Sequence, residues 1–236
     1  MTCLNWWDGV LPVLDFEATG TDPQEDRIVS VALVLCTPRG RTLPGGVVTL
    51  VNPGVPIPQE ASAVHGITDD MVQDKPTTAE VLPELLRCLM GIQALGWPLV
   101  IYNATYDWPL LNAEAARHGG PAVPEVPIID PLVLDRGYDR FRPGGRKLGD
   151  VCWHYGVELV DAHDALSDAL ATAELCRAIV SRYPELQQMD FRALHDLQAD
   201  MHAAWLREFN RYRAQQGREP IPEVHWPGMT EVPCSR

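Results

Sequence analysis

Two acidic residues end an apolar, strand-like run near the N-terminus, and their spacing could support metal chemistry. Residues 10–20 read V-L-P-V-L-D-F-E-A-T-G, with Asp15 and Glu17 at the end of the run. Because alternate side chains of a strand share a face, these carboxylates are expected to stand side by side. Two such anions repel each other, and their desolvation is costly unless a cation lies between them. A solvated strand end would explain the pair equally well, so the pattern alone leaves both interpretations open.

Two further acids and a histidine occur where helices are predicted to begin. Asp107 lies in Y-N-A-T-Y-D-W, in the first turn of a helix that follows a short buried strand. Asp168 lies in A-H-D-A-L-S-D-A near the start of a long alanine-rich helix, and His163 comes five residues earlier. A helix N-terminus stabilises a carboxylate without any metal, and a single histidine in a loop is more often solvated than catalytic. Each segment taken alone is therefore ambiguous.

The three segments together resemble the exonuclease motifs of the DEDDh family, the DnaQ-like group. D-F-E-A-T-G, N-A-T-Y-D and H-D-A-L-S-D-A stand in the family's order within residues 10–183, and V-H-G-I-T at residues 64–68 is similar to the family's H-G-I segment. Tyr106 stands where relatives often have phenylalanine, and Ala18 where many have threonine; both are mild departures. The resemblance implies a ribonuclease H-like fold.

The resemblance also implies a metal-dependent 3′→5′ exonuclease that releases nucleoside 5′-monophosphates from single-stranded 3′ ends, with DNA favoured. It makes His163 the general base and assigns four carboxylates to two Mg²⁺ or Mn²⁺ ions: Asp15, Glu17, Asp107 and Asp168. Hard oxygen ligands suit both ions. A histidine with an ordinary pKa of about 6.5 suits proton transfer at neutral pH.

Contacts with the nucleic acid are also expected. By resemblance, the backbone around Phe16 and Thr19 would cradle the 3′-terminal nucleotide together with His65, and Asn103 would shape the second motif. Separately, residues 136–147 contain five basic residues and a single acid. We hypothesise that this basic segment contacts phosphates of the incoming strand, with an ordinary solvated loop as the alternative. Its basic residues are Arg136, Arg140, Arg142, Arg146 and Lys147.

Three acids near the motifs have no place in the pattern. Asp130 in I-I-D-P is interpreted as a structural residue. Asp161 and Asp164 flank His163 and are interpreted as helix-capping residues.

The composition argues against broad duplex binding. The chain of 236 residues is 46% hydrophobic and 22% charged, as globular proteins are, and its formal net charge is −13. A protein that held a duplex by neutralising its phosphates would usually be basic. Bound cations can still supply positive charge at one local site, so a metal-dependent nuclease remains compatible with this charge.

The sequence favours a cytoplasmic protein that does not enter a membrane. No run approaches the roughly 18 apolar residues of a membrane-spanning helix, and the first residues have no basic leader. The six cysteines lie singly, which argues against a zinc site or a disulfide framework. Four of them are expected to be reduced core residues: Cys36, Cys88, Cys152 and Cys176.

The order of predicted elements indicates an α/β fold with a mixed five-stranded sheet flanked by helices and a C-terminal helical extension. Strands are predicted over residues 10–14, 28–37, 47–51, 98–102 and 127–130, and helices over 77–92, 103–118, 147–155, 164–183 and 189–215. The last helix is expected to pack through Leu194, Leu197, Met201, Trp205 and Tyr212. We expect an exonuclease domain over residues 1–183 and an extension over 184–236, whose tail after Gly217 wraps the surface or is mobile.

Two alternatives stay open. One is an exoribonuclease acting on RNA or short oligoribonucleotides, because the motifs do not fix recognition of the 2′-hydroxyl. The other is a subunit with little activity of its own that docks on a DNA polymerase or repair complex through residues 185–236.

Overall fold

The computed structural model describes residues 5–222 and 224–228, which form a five-stranded sheet with helices on both faces. The strands are β1 (Leu11–Ala18), β2 (Ile28–Cys36), β3 (Thr42–Leu50), β4 (Leu99–Val100) and β5 (Ile128–Ile129). The helices are α1 (Gln59–His65), α2 (Asp69–Val72), α3 (Thr78–Leu95), α4 (Ala104–Arg117), α5 (Pro131–Tyr138), α6 (Leu148–Tyr155), α7 (Ala165–Arg182), α8 (Pro184–Gln187) and α9 (Phe191–Gln215). The prediction of a mixed α/β sheet is confirmed.

The sheet has the order β3-β2-β1-β4-β5. The first three strands form an antiparallel meander, whereas β4 and β5 run parallel to β1. Parallel strands end at the same edge of a sheet. The ends of β1, β4 and β5 therefore bring three chain segments together: the acidic end of β1, the start of α4 and the start of α5.

The central strand divides the core into two layers. Leu14 and Phe16 pack with α3 and α4 on one face of the sheet. Leu11 and Val13 pack with α7 on the other face. Since Asp15 and Glu17 continue the alternation of Leu11 and Val13, they lie on the side of the sheet that α7 covers.

The third strand begins five residues earlier than predicted. Pro44-Gly45-Gly46 was expected to be a turn, but it lies inside β3, where the pairing with β2 shifts register between Leu33 and Leu35. A Cβ atom on Gly46 would clash with the carbonyl oxygen of Leu33. The glycine therefore permits a close strand approach at a bulge instead of reversing the chain.

The five predicted helices agree with the structure to within a few residues, whereas α1, α2, α5 and α8 were not predicted. Helix α9 buries Leu194, Gln198, His202 and Leu206, so its packing face is rotated from the expected stripe and includes two polar side chains. Trp226 is buried with 6% of its surface exposed, and the expectation of a tail on the surface is wrong at this residue. The boundary between residues 183 and 184 stays a prediction.

The four cysteines that the structure describes agree with the prediction of reduced core residues. Cys36, Cys88, Cys152 and Cys176 are free and buried, while Cys3 and Cys234 lie outside the described residues. Among the described residues, no helix combines the length and apolar character needed to cross a bilayer. The cytoplasmic location stays a prediction.

Candidate active site

Strand β1 supplies the first two acids of the site. Asp15 pairs across the sheet with Ala32 and Glu17 with Ser30, and both carboxylates are half-buried. The register shifts directly after Glu17, where the strand leads into the turn Ala18-Thr19-Gly20. The sequence prediction that these carboxylates share one face is confirmed.

Helix α7 brings Asp168 to the same face. Asp164 caps the helix by accepting a hydrogen bond from the Ser167 N–H (2.9 Å), as expected for a capping residue. Oδ2 of Asp168 accepts a longer bond from the main-chain N–H of His163 (3.3 Å). Oδ1 of Asp168 is buried and has no hydrogen-bond partner among the described residues, so it is available to a ligand.

Helix α4 supplies the fourth acid. Asp107 is 5% exposed, and its Oδ1 accepts a hydrogen bond from the main-chain N–H of Phe16 (3.0 Å). Phe16 stands between Asp15 and Glu17, so this bond ties the first turn of α4 to the acidic end of β1. We call the four side chains the carboxylate cluster: Asp15, Glu17, Asp107 and Asp168.

The electrostatics of the carboxylate cluster are unfavourable without a cation. Burial, followed by repulsion from neighbouring carboxylates, raises the pKa of Glu17 to about 8. Burial also raises the pKa of Asp107 to about 8, against the lowering effect of the Phe16 hydrogen bond, and it raises the pKa values of Asp15 and Asp168. Asp164 adds a further negative charge near Asp15 and Glu17. Within the described residues, no lysine or arginine forms an ion pair with the cluster.

The donor set fits divalent cations. Glu17, His163 and Asp168 each place one ligand atom within 4.8 Å of the others. Carboxylate oxygens are the ligands that Mg²⁺ and Mn²⁺ prefer. Bound cations would satisfy the free Oδ1 of Asp168 and offset the repulsion within the cluster.

His163 stands at the rim of the carboxylate cluster. Its side chain is exposed, and its backbone adopts a left-handed conformation with φ of 70°. This conformation is uncommon for residues other than glycine, although histidine tolerates it better than most. The turn places the imidazole beside Glu17 and Asp168 while the main-chain N–H of His163 binds Asp168.

His65 also reaches the site, from the end of α1. Its Nδ1 accepts a hydrogen bond from the Ile67 N–H (3.0 Å), and burial lowers its pKa. A neutral ring that accepts at Nδ1 carries its proton on Nε2. Nε2 is buried against the main chain of Ala18, whose hydrogen bond opposes this lowering of the pKa, and His163 lies nearby. His65 therefore carries its proton on Nε2 at the edge of the site.

The remaining predicted contact residues have structural partners. The Thr19 hydroxyl donates to Asp26 (2.8 Å) and accepts from the Arg27 N–H (3.0 Å), which closes the turn between β1 and β2. The Phe16 side chain is buried in the core, so only its backbone faces the site. Asn103 begins α4 in a left-handed conformation with φ of 62°, in agreement with a scaffolding role.

This geometry can be compared with known proteins. Residues 13–176 match the family model RNase_T, described as exonuclease. The chain belongs to this exonuclease family. The predicted membership of the DnaQ-like exonucleases is thereby confirmed.

Several relatives are DNA polymerase III proteins. The epsilon subunit of DNA polymerase III from Aquifex aeolicus is 31% identical over 178 residues, covering 72% of this chain and 80% of that subunit. The PolC-type DNA polymerase III of Thermotoga maritima is 33% identical over 168 residues. That match covers 71% of this chain but only 12% of the polymerase, so the chain spans about an eighth of this relative.

Solved structures of exonucleases share the fold. Exonuclease X, in complex with a 5′ overhanging duplex DNA, superposes with a TM-score of 0.58 at 24% identity, covering 80% of this chain and 99% of that one. The nuclease domain of 3′hExo, a DEDDh family member bound to rAMP, gives a TM-score of 0.62 at 18% identity, covering 77% and 94%. The ribonuclease H-like fold expected from the exonuclease motifs is confirmed.

The basic segment does not present its cations as expected of a strand-binding loop in an exonuclease. Arg142 and Arg146 both bind Asp135, whose side chain is fully buried, and their own side chains are only 9% and 16% exposed. Arg140 pairs with Glu208 of α9. For Arg142 and Arg146 the hypothesis of phosphate contacts is wrong, because both guanidinium groups are largely buried and paired with Asp135, and Arg142 also pairs with Asp139.

Sequence reasoning interpreted Asp130 as structural but missed how closely it is linked to the site. Its carboxylate accepts hydrogen bonds from four groups: Asn103 N (3.0 Å), Ala104 N (2.9 Å), Leu132 N (2.9 Å) and Trp226 Nε1 (3.2 Å). It therefore caps both α4 and α5, and α4 carries Asp107 in its first turn. Proline directly after an N-cap aspartate is a helix-start signal that could have revealed α5.

Proposed function

We propose that this chain is a metal-dependent 3′→5′ exonuclease that hydrolyses single-stranded ends, DNA in preference to RNA, and releases nucleoside 5′-monophosphates. The observation that carries the proposal is the carboxylate cluster itself. Within the described residues, four carboxylates from three separate elements meet without a lysine or arginine beside them. This arrangement lowers the stability of the fold, and a protein that served only as a scaffold would gain nothing from it.

Within this proposal, Asp15, Glu17, Asp107 and Asp168 hold two Mg²⁺ or Mn²⁺ ions. The chemistry that such a pair of ions supplies is stabilisation of charge on the attacking and leaving oxygens of a phosphoryl displacement. The protein fixes the ligands beforehand: the Phe16 N–H holds Asp107, and the His163 N–H holds Asp168. Pre-positioned ligands lower the cost of reorganisation during the reaction.

His163 acts as the general base in this proposal. Its imidazole is open to solvent and lies beside two of the acidic ligands, so it can take a proton from a water molecule near the scissile phosphate. Its left-handed turn and its main-chain bond to Asp168 fix the direction from which it approaches.

The 3′-terminal nucleotide contacts the backbone around Phe16 and Thr19 together with the Nε2–H of His65. Asn103 shapes this side of the site through the start of α4. Because the Thr19 hydroxyl is engaged by Asp26 and Arg27, we assign the Thr19 contact to its main chain.

The relatives support DNA as the substrate and a DNA polymerase or repair complex as the partner. The similar segments belong to DNA polymerase III, either as the epsilon subunit or within a PolC-type chain. In this proposal the chain removes 3′-terminal nucleotides during DNA replication, as a proofreading activity would. RNA remains the alternative substrate.

A gel assay tests the proposal. The protein is mixed with 5′-labelled single strands of DNA or RNA in Mg²⁺, Mn²⁺ or chelator, beside the variants Asp168→Asn and His163→Gln. Asp161→Asn is the matched control, because Asp161 is an exposed acid on the same loop. We expect a metal-dependent ladder that shortens from the 3′ end, is abolished in Asp168→Asn and is slowed about 10²- to 10⁴-fold in His163→Gln.

Two results would contradict the proposal. Degradation in chelator would show that the activity does not require a metal ion. Intact DNA and RNA under every condition would favour a docking subunit without activity, and the next measurement would be co-purification of residues 185–236 with a polymerase.

A further inference from the structure

The C-terminal half of α9 carries a row of stacked aromatic rings. Trp205 and Phe209 stack with centroids 5.2 Å apart and planes 13° apart, and Phe209 is followed by Tyr212 at 6.4 Å. The Arg136 guanidinium covers the Trp205 ring at 3.8 Å, and Arg213 lies 5.9 Å from the Phe209 ring. We call Trp205, Phe209 and Tyr212 the aromatic stack. It ends at Tyr212, which is 54% exposed.

The aromatic stack lies in the most basic part of α9. Residues 205–218 contain four arginines and one acid, a formal charge of +3 in a chain whose net charge is −13. Arg207, Arg211 and Arg218 are exposed. Arg213 donates only its Nε to the Glu219 carbonyl (2.6 Å), and within the described residues its terminal nitrogens have no partner. Within the described residues, these arginines have no carboxylate partner, whereas Arg142 and Arg146 both pair with Asp135.

A groove runs beside the aromatic stack, between α5 and α9. It encloses about 190 Å³ and is lined by Arg136 and Arg140 on one side and by Met201, Trp205 and Glu208 on the other. Arg140 is paired with Glu208 in this groove, so the cations available to phosphates are the exposed arginines of residues 205–218 beside the rings. Together, these arginines and rings have both elements of single-strand recognition. Cations contact phosphates, and aromatic rings stack on bases whatever their identity.

The aromatic stack is connected to the candidate active site by a short path. Gln198 of α9 accepts a hydrogen bond from the Asp130 N–H (2.6 Å), and Asp130 caps α4, the helix of Asp107. Trp205 lies seven residues beyond Gln198, about 10 Å along the helix. Tyr212 lies about 10 Å farther. The aromatic stack therefore begins about 10 Å along α9 from a residue that contacts the cap of α4, and a strand bound at both places would need several nucleotides between them.

We propose that the aromatic stack and the arginines beside it bind the upstream part of a single-stranded nucleic acid whose 3′ end is in the active site. The proposal rests on the proposed exonuclease function. The strongly acidic remainder of the chain repels a polyanion, so the strand is held where local charge is positive. A base stacks on the open face of Tyr212, and Arg213 and Arg218 contact the flanking phosphates.

Fluorescence anisotropy in chelator tests this binding apart from catalysis. Without metal, no cation links the strand to the carboxylate cluster and nothing is cleaved, so binding of a labelled oligothymidylate reports the other surfaces. We expect Tyr212→Ala to weaken binding about tenfold, since one base loses its stacking partner. The double variant Arg213→Gln/Arg218→Gln should lower the slope of log K against log salt by about 1.4, because each lost phosphate contact on a single strand removes about 0.7.

The matched control is Arg39→Gln/Arg41→Gln, which removes the same charge from an exposed turn between β2 and β3. Equal losses in both double variants would overturn the proposal, because the effect would then be one of overall charge. Unchanged affinity in Tyr212→Ala would also overturn the proposal, and it would favour a protein partner as the ligand of the aromatic stack.

Kinetics with Mg²⁺ or Mn²⁺ separate this proposal from the exonuclease function. In Tyr212→Ala, kcat/KM on a long strand should fall about tenfold relative to kcat/KM on a trinucleotide too short to reach the stack. A relative loss that is the same for both lengths would overturn the proposal. If the unmodified protein cleaves neither substrate, the exonuclease function fails, whereas the anisotropy experiment still decides whether the stack binds a strand.

Discussion

Two groups of carboxylates in the described part of the chain have opposite kinds of partner. Glu114 and Asp135 have fully buried side chains and meet arginines: Arg117 binds Glu114, while Arg142 and Arg146 bind Asp135. The carboxylate cluster receives two main-chain N–H groups and, among the described residues, no arginine or lysine. The first group is neutralised within the fold, whereas the second is not.

The difference shows which acids the fold needs. Desolvation of a carboxylate costs several kcal/mol, so a buried acid normally persists only with a partner. Glu114 and Asp135 satisfy that rule, and we interpret them as structural. The carboxylate cluster violates the rule unless cations are supplied from outside, which is typical of a functional site.

The largest expected effect comes from neutralising one member of the carboxylate cluster. Asp107→Asn should reduce kcat on a single strand at least about 10³-fold, because a ligand that is lost from a metal site removes several kcal/mol of charge stabilisation. Asp135→Asn should retain activity per folded molecule. Steady-state rates, normalised to the folded fraction from circular dichroism, provide the measurement. A similar loss in both variants would remove the distinction between the two groups.

The next largest effect is on stability, and here the structural acid Asp135 matters most. Asp135→Asn removes the buried counter-ion of Arg146 and the nearer of the two counter-ions of Arg142, so the free energy of unfolding should fall by about 3 kcal/mol. Urea denaturation measures this change. Asp161→Asn, at an exposed position, should change stability by less than about 0.5 kcal/mol. If both variants unfold at the same urea concentration, the arginine pairs of Asp135 do not contribute to the fold.

The pH dependence of the free energy of unfolding should differ between the metal-free and the metal-bound protein. Glu17 and Asp107 have pKa values of about 8 in the folded chain, whereas unfolded carboxyl groups titrate near 4. Between these values the folded state holds more protons, so stability falls as the pH rises. Allowing for solvent screening, we expect a fall of about 1 to 2 kcal/mol between pH 5 and pH 8 in chelator.

Saturating Mn²⁺ or Mg²⁺ should abolish this fall, because cations replace the protons as partners of the carboxylates. Glu17→Gln should reduce it even in chelator. Urea denaturation at several pH values measures both effects. An identical pH profile with and without metal would argue against cation binding at the cluster.

The site was predictable from sequence because its residues sit in elements with strong local signals. An apolar run precedes Asp15 and Glu17, and helix-start patterns precede Asp107 and Asp168. The structure brings these four residues and His163 together. Nothing local could show that Arg142 and Arg146 would be neutralised, because their partner Asp135 lies in a helix that was not predicted. The sequence shows that a segment is basic, but only the structure shows whether carboxylates already pair with its basic side chains.

Two other failures have different physical causes. Pro44-Gly45-Gly46 has turn chemistry, but pairing with β2 holds it in a strand, so tertiary context overrides local preference. Trp226 lies 96 residues from Asp130 along the chain. Its packing depends on core residues that other elements supply, and the tail has no periodicity that predicts this packing.

The smallest expected effect concerns this link between the tail and the site. Trp226→Phe keeps an aromatic ring but removes the indole N–H that binds Asp130, so the free energy of unfolding should fall by about 1 kcal/mol. The three main-chain donors to Asp130 remain, and kcat should therefore change little. Trp153→Phe is the control, since Trp153 is 84% exposed. Equal stability of the two variants would mean that the tail adds nothing to the capping of α4. A selective loss of kcat in Trp226→Phe would instead mean that the tail helps to position Asp107, and the carboxylate cluster would then depend on a residue that lies outside its motifs.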